Sequence, residues 1–310
     1  VNRSGGKILV VRGGAIGDFI LTLPALSALR QQFPEAFLEV LGYPHIVELA
    51  VAGGIVDRVQ PIEARALAGF FAKNGELDTE LQDYFSEFDI IISYLFDPDH
   101  IFKTNVARCS RGQFIQGPHR PQEQDTIPAS RVYLRPLERL AIFEADPVPR
   151  LELKAAGRPE LTLALHPGSG SEKKNWPEPG WSELLTRLVN ESEFSLLLVG
   201  GEAEGERLQR LSAALPPARV RVAMNLPLAE LGRQLKSCVG FVGHDSGISH
   251  LAAAVGLPGL VLWGFTSEAI WRPPSGKFRV LRHPTGLESL PAEKVLAELS
   301  SLLGFRVRSE

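Results

Sequence analysis

Ile8 to Val11 is a β-branched run that stops at Gly13-Gly14, and apolar residues then recur at helical spacing from Phe19 to Phe33 before Pro34. Strand, glycine-rich turn, helix: this unit recurs along the chain. Phe37 to Leu41 reads as the next strand, Ile46 to Val51 as a short helix, Val56 to Pro61 as a third strand and Phe88 to Ser93 as a fourth. Such alternation specifies a parallel sheet flanked by helices. From Gly117 to Arg150 the pattern loosens, with Pro118, Pro121, Pro128, Pro136, Pro147 and Pro149 around what reads as one helix from Leu134 to Phe143. The grammar then restarts. Leu161 to Leu165, Phe194 to Val199, Val220 to Ala223, Val239 to Val242 and Leu260 to Trp263 read as strands. Trp181 to Asn190, Glu204 to Ala214, Leu228 to Lys236, Ser249 to Val255 and Pro291 to Leu303 read as helices. The expectation is an α/β protein of two doubly wound, Rossmann-like domains, residues 1–150 and 151–310, whose last helix packs back on the first. A site would then lie between them, outside the carboxyl ends of the strands.

A length of 310 residues with 44% hydrophobic and 22% charged content is enough to bury two cores. The formal charge of -3 supplies no overall field for nucleic acid, so no nucleic-acid partner is expected. Cys109 and Cys238 sit in no CxxC or Cys/His pattern and read as reduced, buried thiols. The start of the sequence lacks the apolar core and small-residue cleavage site of a secretory signal. Its apolar runs also fall short of the ~20 residues that cross a bilayer. Cytoplasmic residence is the expectation.

Three segments carry the chemistry. Arg12-Gly13-Gly14-Ala15-Ile16-Gly17-Asp18 lies at the end of the first strand and opens the first helix. Gly14 and Gly17 permit close approach of a ligand to the backbone. Asp18 reads equally as a functional carboxylate and as a helix cap. No Gly-Lys-Ser/Thr follows, and the spacing is not GxGxxG, so neither a Walker loop nor a dinucleotide fingerprint is present. The second segment runs from His166 to Pro177. Its Ser169, Gly170 and Ser171 are followed by Lys173 and Lys174. Hydroxyls, amides and an ammonium at a strand end suit a diphosphate, whereas Trp176-Pro177 suits anchoring the next helix. The third is Gly243-His244-Asp245-Ser246-Gly247-Ile248-Ser249-His250. Here a Gly/Ser turn meets a helix start, where amides of Ser246, Gly247 and Ile248 favour an anion without a metal. Asp245 reads as an acceptor orienting that loop, and His250 equally as a core histidine. Consecutive turn residues seldom converge on one ion, so no metal site is expected. GxSxG order is absent, which argues against a serine hydrolase. Asp97-Pro98-Asp99 reads as a turn.

Taken together, the three segments resemble glycosyltransferase family 9, the bacterial heptosyltransferases that build the lipopolysaccharide inner core from ADP-heptose. Arg12 to Pro24 looks like the family's N-terminal motif, with Asp18 matching its catalytic base. His166 to Pro177, and Asp245 to Ala254 followed by Gly256-Leu257-Pro258, look like its two donor-site motifs. The resemblance implies a GT-B fold, inversion at the anomeric carbon, no metal and no cofactor beyond the nucleotide-sugar substrate. It places the acceptor in the N-terminal domain and the donor in the C-terminal one. Carried over by position, Lys174, Ser169 and the Ser246-Gly247 turn contact donor phosphate, and Glu202 binds ribose. The family's Asp-x-Gln-Gly-like acceptor segment is replaced by Tyr94-Leu95-Phe96-Asp97-Pro98-Asp99-His100, so the acceptor itself is not legible. Lys103, Arg108, Arg111, His119 and Arg120 suit an anionic, lipid-linked or oligosaccharide acceptor and peripheral contact with the inner membrane surface. Two rival readings use the same phosphate site: a nucleotide-sugar isomerase or epimerase of GT-B fold, and a non-catalytic nucleotide-sugar binding protein.

Overall fold

The computed structural model describes residues 5–157 and 161–306. The chain divides into two compact units, Val1–Pro147 and Val148–Glu310. In the first, β1 (Lys7–Arg12), β2 (Phe37–Gly42), β3 (Arg58–Pro61), β4 (Ile90–Ser93) and β5 (Gln113–Gln116) form one parallel sheet in the order β3-β2-β1-β4-β5. Central β1 is covered on both faces, which is why Ile8, Leu9, Val10 and Val11 are all apolar and buried. The connecting helices are α1 (Ile16–Gln32), α2 (Pro44–Ala52), α3 (Thr79–Ser86) and α4 (Ile101–Ala107), with α5 (Ala129–Leu134) after β5. Leu9, Val11, Leu41, Phe70, Phe85, Ile91 and Phe102 share one core. The order reverses at β1 and β4, where ligands of doubly wound sheets bind beyond the strand ends. There the loop carrying Gly14 lies beside the one that starts at Tyr94.

Local chemistry explains where this unit departs from expectation. The helix expected over Leu134 to Phe143 begins earlier, at Ala129, because Pro128 occupies the N-cap with φ -56°. A 3-10 turn over Arg135–Leu140 follows, since Pro136 has no N–H to continue an α-helical ladder, and it ends at Ala141 with φ 57°. Strand β5, Gln-Phe-Ile-Gln, escapes a search for apolar runs because its ends are polar. Asp97 stands at a turn and also caps α4: its carboxylate accepts from the Phe102 and Lys103 amides at 3.2 and 3.0 Å.

In the second unit, β6 (Thr162–Leu165), β7 (Ser195–Gly200), β8 (Val220–Met224), β9 (Gly240–His244), β10 (Gly259–Leu262) and β11 (Phe278–Leu281) form a parallel sheet in the order β11-β10-β9-β6-β7-β8. Its helices are α6 (Glu178–Glu191), α7 (Gly205–Ala213), α8 (Leu228–Lys236), α9 (Gly247–Ala254), α10 (Glu268–Trp271) and α11 (Ala292–Leu303). Edge strand β11, with an arginine in its middle, is the strand that apolar patterning misses. The switch point falls between β6 and β9, paired as Leu163↔Gly240 and Leu165↔Val242. The segments after those two strands, far apart in sequence, are thereby neighbours in space. In helix α11, Ala292, Val295, Leu296 and Leu299 are buried with Trp176, Trp181 and Leu262 in the second unit's core.

Candidate active site

In the second unit, His244 at the end of β9 holds the loop that follows β6. Its ring is fully buried. Nε2 accepts from the Trp176 amide at 2.8 Å, and Nδ1 lies 3.2 Å from the Gly168 carbonyl oxygen. An acceptor at Nε2 and a donor at Nδ1 define the neutral Nδ1–H tautomer. Burial accordingly pushes its pKa down to about 3. Trp176 buries its ring against Trp181 and donates Nε1–H to the Leu290 carbonyl, so it anchors the loop to the core. From the other side, Arg207 donates to the Pro167 carbonyl and pairs with Glu172 at 2.6 Å. Gly168 is required because a Cβ there would lie 2.3 Å from Glu204.

This bracing presents Lys174 to the second loop. Lys174 Nζ donates to Asp245 Oδ2 at 2.7 Å, and Thr266 Oγ1 donates to the same oxygen at 2.8 Å. The Asp245 carboxylate is almost wholly buried, while the lysine side chain keeps 27% of its surface exposed. Asp245 is thus an internal acceptor that aims the lysine. An ammonium carries three donors, and its contact with Asp245 uses one. Ser246 caps α9, accepting from the Ser249 amide at 3.4 Å, and the amides of Gly247 and Ile248 open the helix, where no intrahelical acceptor exists for them. Ser169 Oγ lies 2.6 Å from Asn175 Oδ1 and 2.9 Å from the Ser171 carbonyl oxygen, which ties the turn around Gly170 (φ 72°) to itself. His250 is a buried residue of α9, and His166, facing Ser246 Oγ at 3.4 Å, has its pKa pushed down to about 4 by burial. Glu202 is exposed in the turn after β7. Its neighbour Glu204 instead turns inward, accepting from the Gly201 amide at 2.9 Å.

In the first unit, Asp18 stands in the first turn of α1. Its Oδ2 accepts from the Ala15 amide at 3.3 Å, and Tyr133 donates its hydroxyl to Oδ1 at 3.2 Å. The guanidinium of buried Arg12 lies 3.7 Å from Oδ1. Asp18 therefore caps its helix and still keeps 28% of its side chain exposed. Gly14 takes φ +104°, which an L side chain resists, and a Cβ there would meet Asp18 Oδ2 at 3.3 Å. Gly17 lies within the first turn of α1. Arg120 lines an open cavity of roughly 540 Å³ with Pro118, His119, Val132 and Arg135. Lys103 is exposed on α4. Tyr133 and Thr266 carry no sequence signal, since they lie far along the chain from the carboxylates they hold, outside any motif. Among the described residues, no group of three or more His, Cys, Asp or Glu is arranged to hold a metal ion.

The chain thus holds two parallel α/β units, the second with a lysine and an open helix start at its switch point. A family model, glycosyltransferase family 9 (heptosyltransferase), matches residues 138–296. The chain belongs to that family and is a glycosyltransferase. The matched stretch contains Lys174 and Asp245, and Asp18 precedes it. Lipopolysaccharide heptosyltransferase 1 of Pseudomonas aeruginosa is 28% identical over 296 residues, covering 84% of this chain and 79% of the relative. Among solved structures, E. coli ADP-heptose lipopolysaccharide heptosyltransferase II superposes with a TM-score of 0.77 at 21% identity, covering 96% of this chain and 98% of its own. The E. coli heptosyltransferase WaaC with ADP gives 0.76 at 20% identity, covering 96% and 99%. The fold is GT-B, as the resemblance implied. Among the described residues, no helix is long and apolar enough to cross a membrane.

Proposed function

We propose that this enzyme moves a heptose from ADP-heptose onto a lipopolysaccharide-core or related glycan acceptor, without a metal and with inversion at the anomeric carbon. The observation that carries the reading is the Lys174–Asp245–Thr266 cluster beside the start of α9, in a chain whose family is the heptosyltransferases. The solved relative that holds ADP supports the choice of base. In this reading the second unit binds the donor. Lys174 and the amides of Gly247 and Ile248 receive the diphosphate, while Ser169, Gly170 and Ser171 shape the turn against it and Glu202 meets the ribose. The first unit binds the acceptor, with Gly14 and Gly17 giving its hydroxyl access to Asp18 and with Lys103 and Arg120 facing its anionic groups at the inner membrane surface. Asp18 takes the proton of the acceptor hydroxyl. The oxygen attacks the anomeric carbon, and the bond to the β-phosphate oxygen breaks with both electrons leaving on ADP. Lysine and helix-start amides offset the charge that grows there, as a divalent ion would elsewhere.

Calorimetric titration with ADP, UDP, GDP and CDP in EDTA tests the donor assignment. ADP should bind tightest, and equal affinity for all four would refute an adenine-specific site. Lys174→Ala should weaken ADP binding by about 10- to 100-fold, the range for a hydrogen bond between charged groups. The variant also leaves Asp245 without its cation. Wild-type affinity would remove Lys174 from the site.

A further inference from the structure

We infer that Tyr133 is a positioning residue for Asp18, fixing Oδ1 through its hydroxyl while its ring covers the guanidinium of Arg12; this rests on Asp18 being the base. Tyr133 comes from α5, more than a hundred residues from β1, yet it touches both partners. Its hydroxyl is 3.2 Å from Asp18 Oδ1, and its ring centre is 4.4 Å from the Arg12 guanidinium carbon. The ring itself is held. Tyr94 donates its hydroxyl to the Tyr133 carbonyl at 2.7 Å and packs against the Tyr133 ring edge-on. Arg12 is equally constrained, donating to the His119 carbonyl at 2.8 Å and to the Asp18 carbonyl at 3.2 Å, with its Nε buried and without a hydrogen-bond acceptor among the described residues. A guanidinium shut from water and 3.7 Å from Oδ1 attracts that oxygen more strongly than an exposed one would.

The two carboxylate oxygens are thus unlike. Oδ1 meets both the Tyr133 hydroxyl at 3.2 Å and the Arg12 guanidinium at 3.7 Å, whereas Oδ2 accepts from the Ala15 amide at 3.3 Å, on the side where Gly14 lacks a Cβ. Oδ2 is the oxygen that takes the acceptor's proton. The charged or titratable groups facing Asp18 are Arg12 from β1, Tyr133 from α5 and His119 from the loop after β5. Tyr133 stays protonated through the working range, because burial first, and Asp18 after it, push its pKa up to about 12.

Tyr133→Phe keeps the ring over Arg12 and removes the hydroxyl alone. Donor KM should stay unchanged while kcat falls about tenfold, the size of one hydrogen bond to a charged group. Tyr133→Leu, which also uncovers Arg12, should lose more. A Tyr133→Phe enzyme with wild-type kcat, measured beside an inactive Asp18→Asn enzyme, would overturn the inference and leave Asp18 as the base. An active Asp18→Asn enzyme would overturn the underlying reading instead.

Discussion

Asp18→Asn is expected to lower kcat by about 10²- to 10⁴-fold, the contribution of a general base, while calorimetric affinity for ADP stays at the wild-type value. Asparagine is the informative replacement because the carboxylate has two duties in the fold. It accepts from the Ala15 amide at the start of α1, and it lies 3.7 Å from the buried Arg12 guanidinium. An amide keeps an oxygen for Ala15 and a polar group for the Tyr133 hydroxyl, but it cannot accept a proton at neutral pH. Asp18→Ala should lose transfer to the same extent and stability in addition, since it strips the cap and leaves Arg12 without its nearby carboxylate. The split between kcat and donor affinity follows from location, because Asp18 belongs to the first unit and Lys174 and Asp245 to the second. Loss of ADP affinity equal to the loss of turnover would show that the asparagine enzyme is damaged globally. Unchanged turnover would remove Asp18 from the reaction.

The strands that bear motifs were legible because each is an apolar run bounded by glycine or proline. β6 is buried throughout, and so is β9. The elements that were missed lie where that signal fades: polar-ended β5, arginine-bearing edge strand β11, and the short helices α3, α4 and α10, too brief for periodicity to show. Lys174 and Asp245 could be placed at strand ends from spacing alone. Their 2.7 Å contact could not, because it depends on β6 and β9 being neighbours, and strand order is a long-range outcome. Asp18 shows a different limit. Capping and function were equal readings of one carboxylate, and the fold gives it the capping contact while leaving its second role open to chemistry. His244, which read in sequence as part of a weak metal pattern, has both ring nitrogens engaged with the loop backbone.

Those histidines make the second unit acid-sensitive. His166 and His244 are buried and neutral, with pKa values pushed down to about 4 and about 3, chiefly by burial. In the unfolded chain both return to ~6.5. Below that value the unfolded state binds protons that the folded state refuses, so stability is full above pH ~6.5. It falls as the pH drops toward 4 for His166 and 3 for His244. Between pH 7 and pH 5 each group contributes a loss of about 2 kcal/mol, roughly 4 kcal/mol for the pair, before most carboxylates begin to titrate. Set against a typical domain stability of ~5–15 kcal/mol, that is enough to bring the unit near its threshold. The measurement is selective, since Trp176, Trp181, Trp263 and Trp271 are the chain's four tryptophans and all lie in the second unit. Urea unfolding followed by tryptophan fluorescence should show the midpoint falling steeply from pH 7 to pH 5. His166→Asn should retain about half of that dependence, because it removes one of two titrating groups. A wild-type midpoint that is the same at both pH values would mean that neither ring stays neutral in the folded protein, and a protonated His244 could not accept from the Trp176 amide while donating to Gly168.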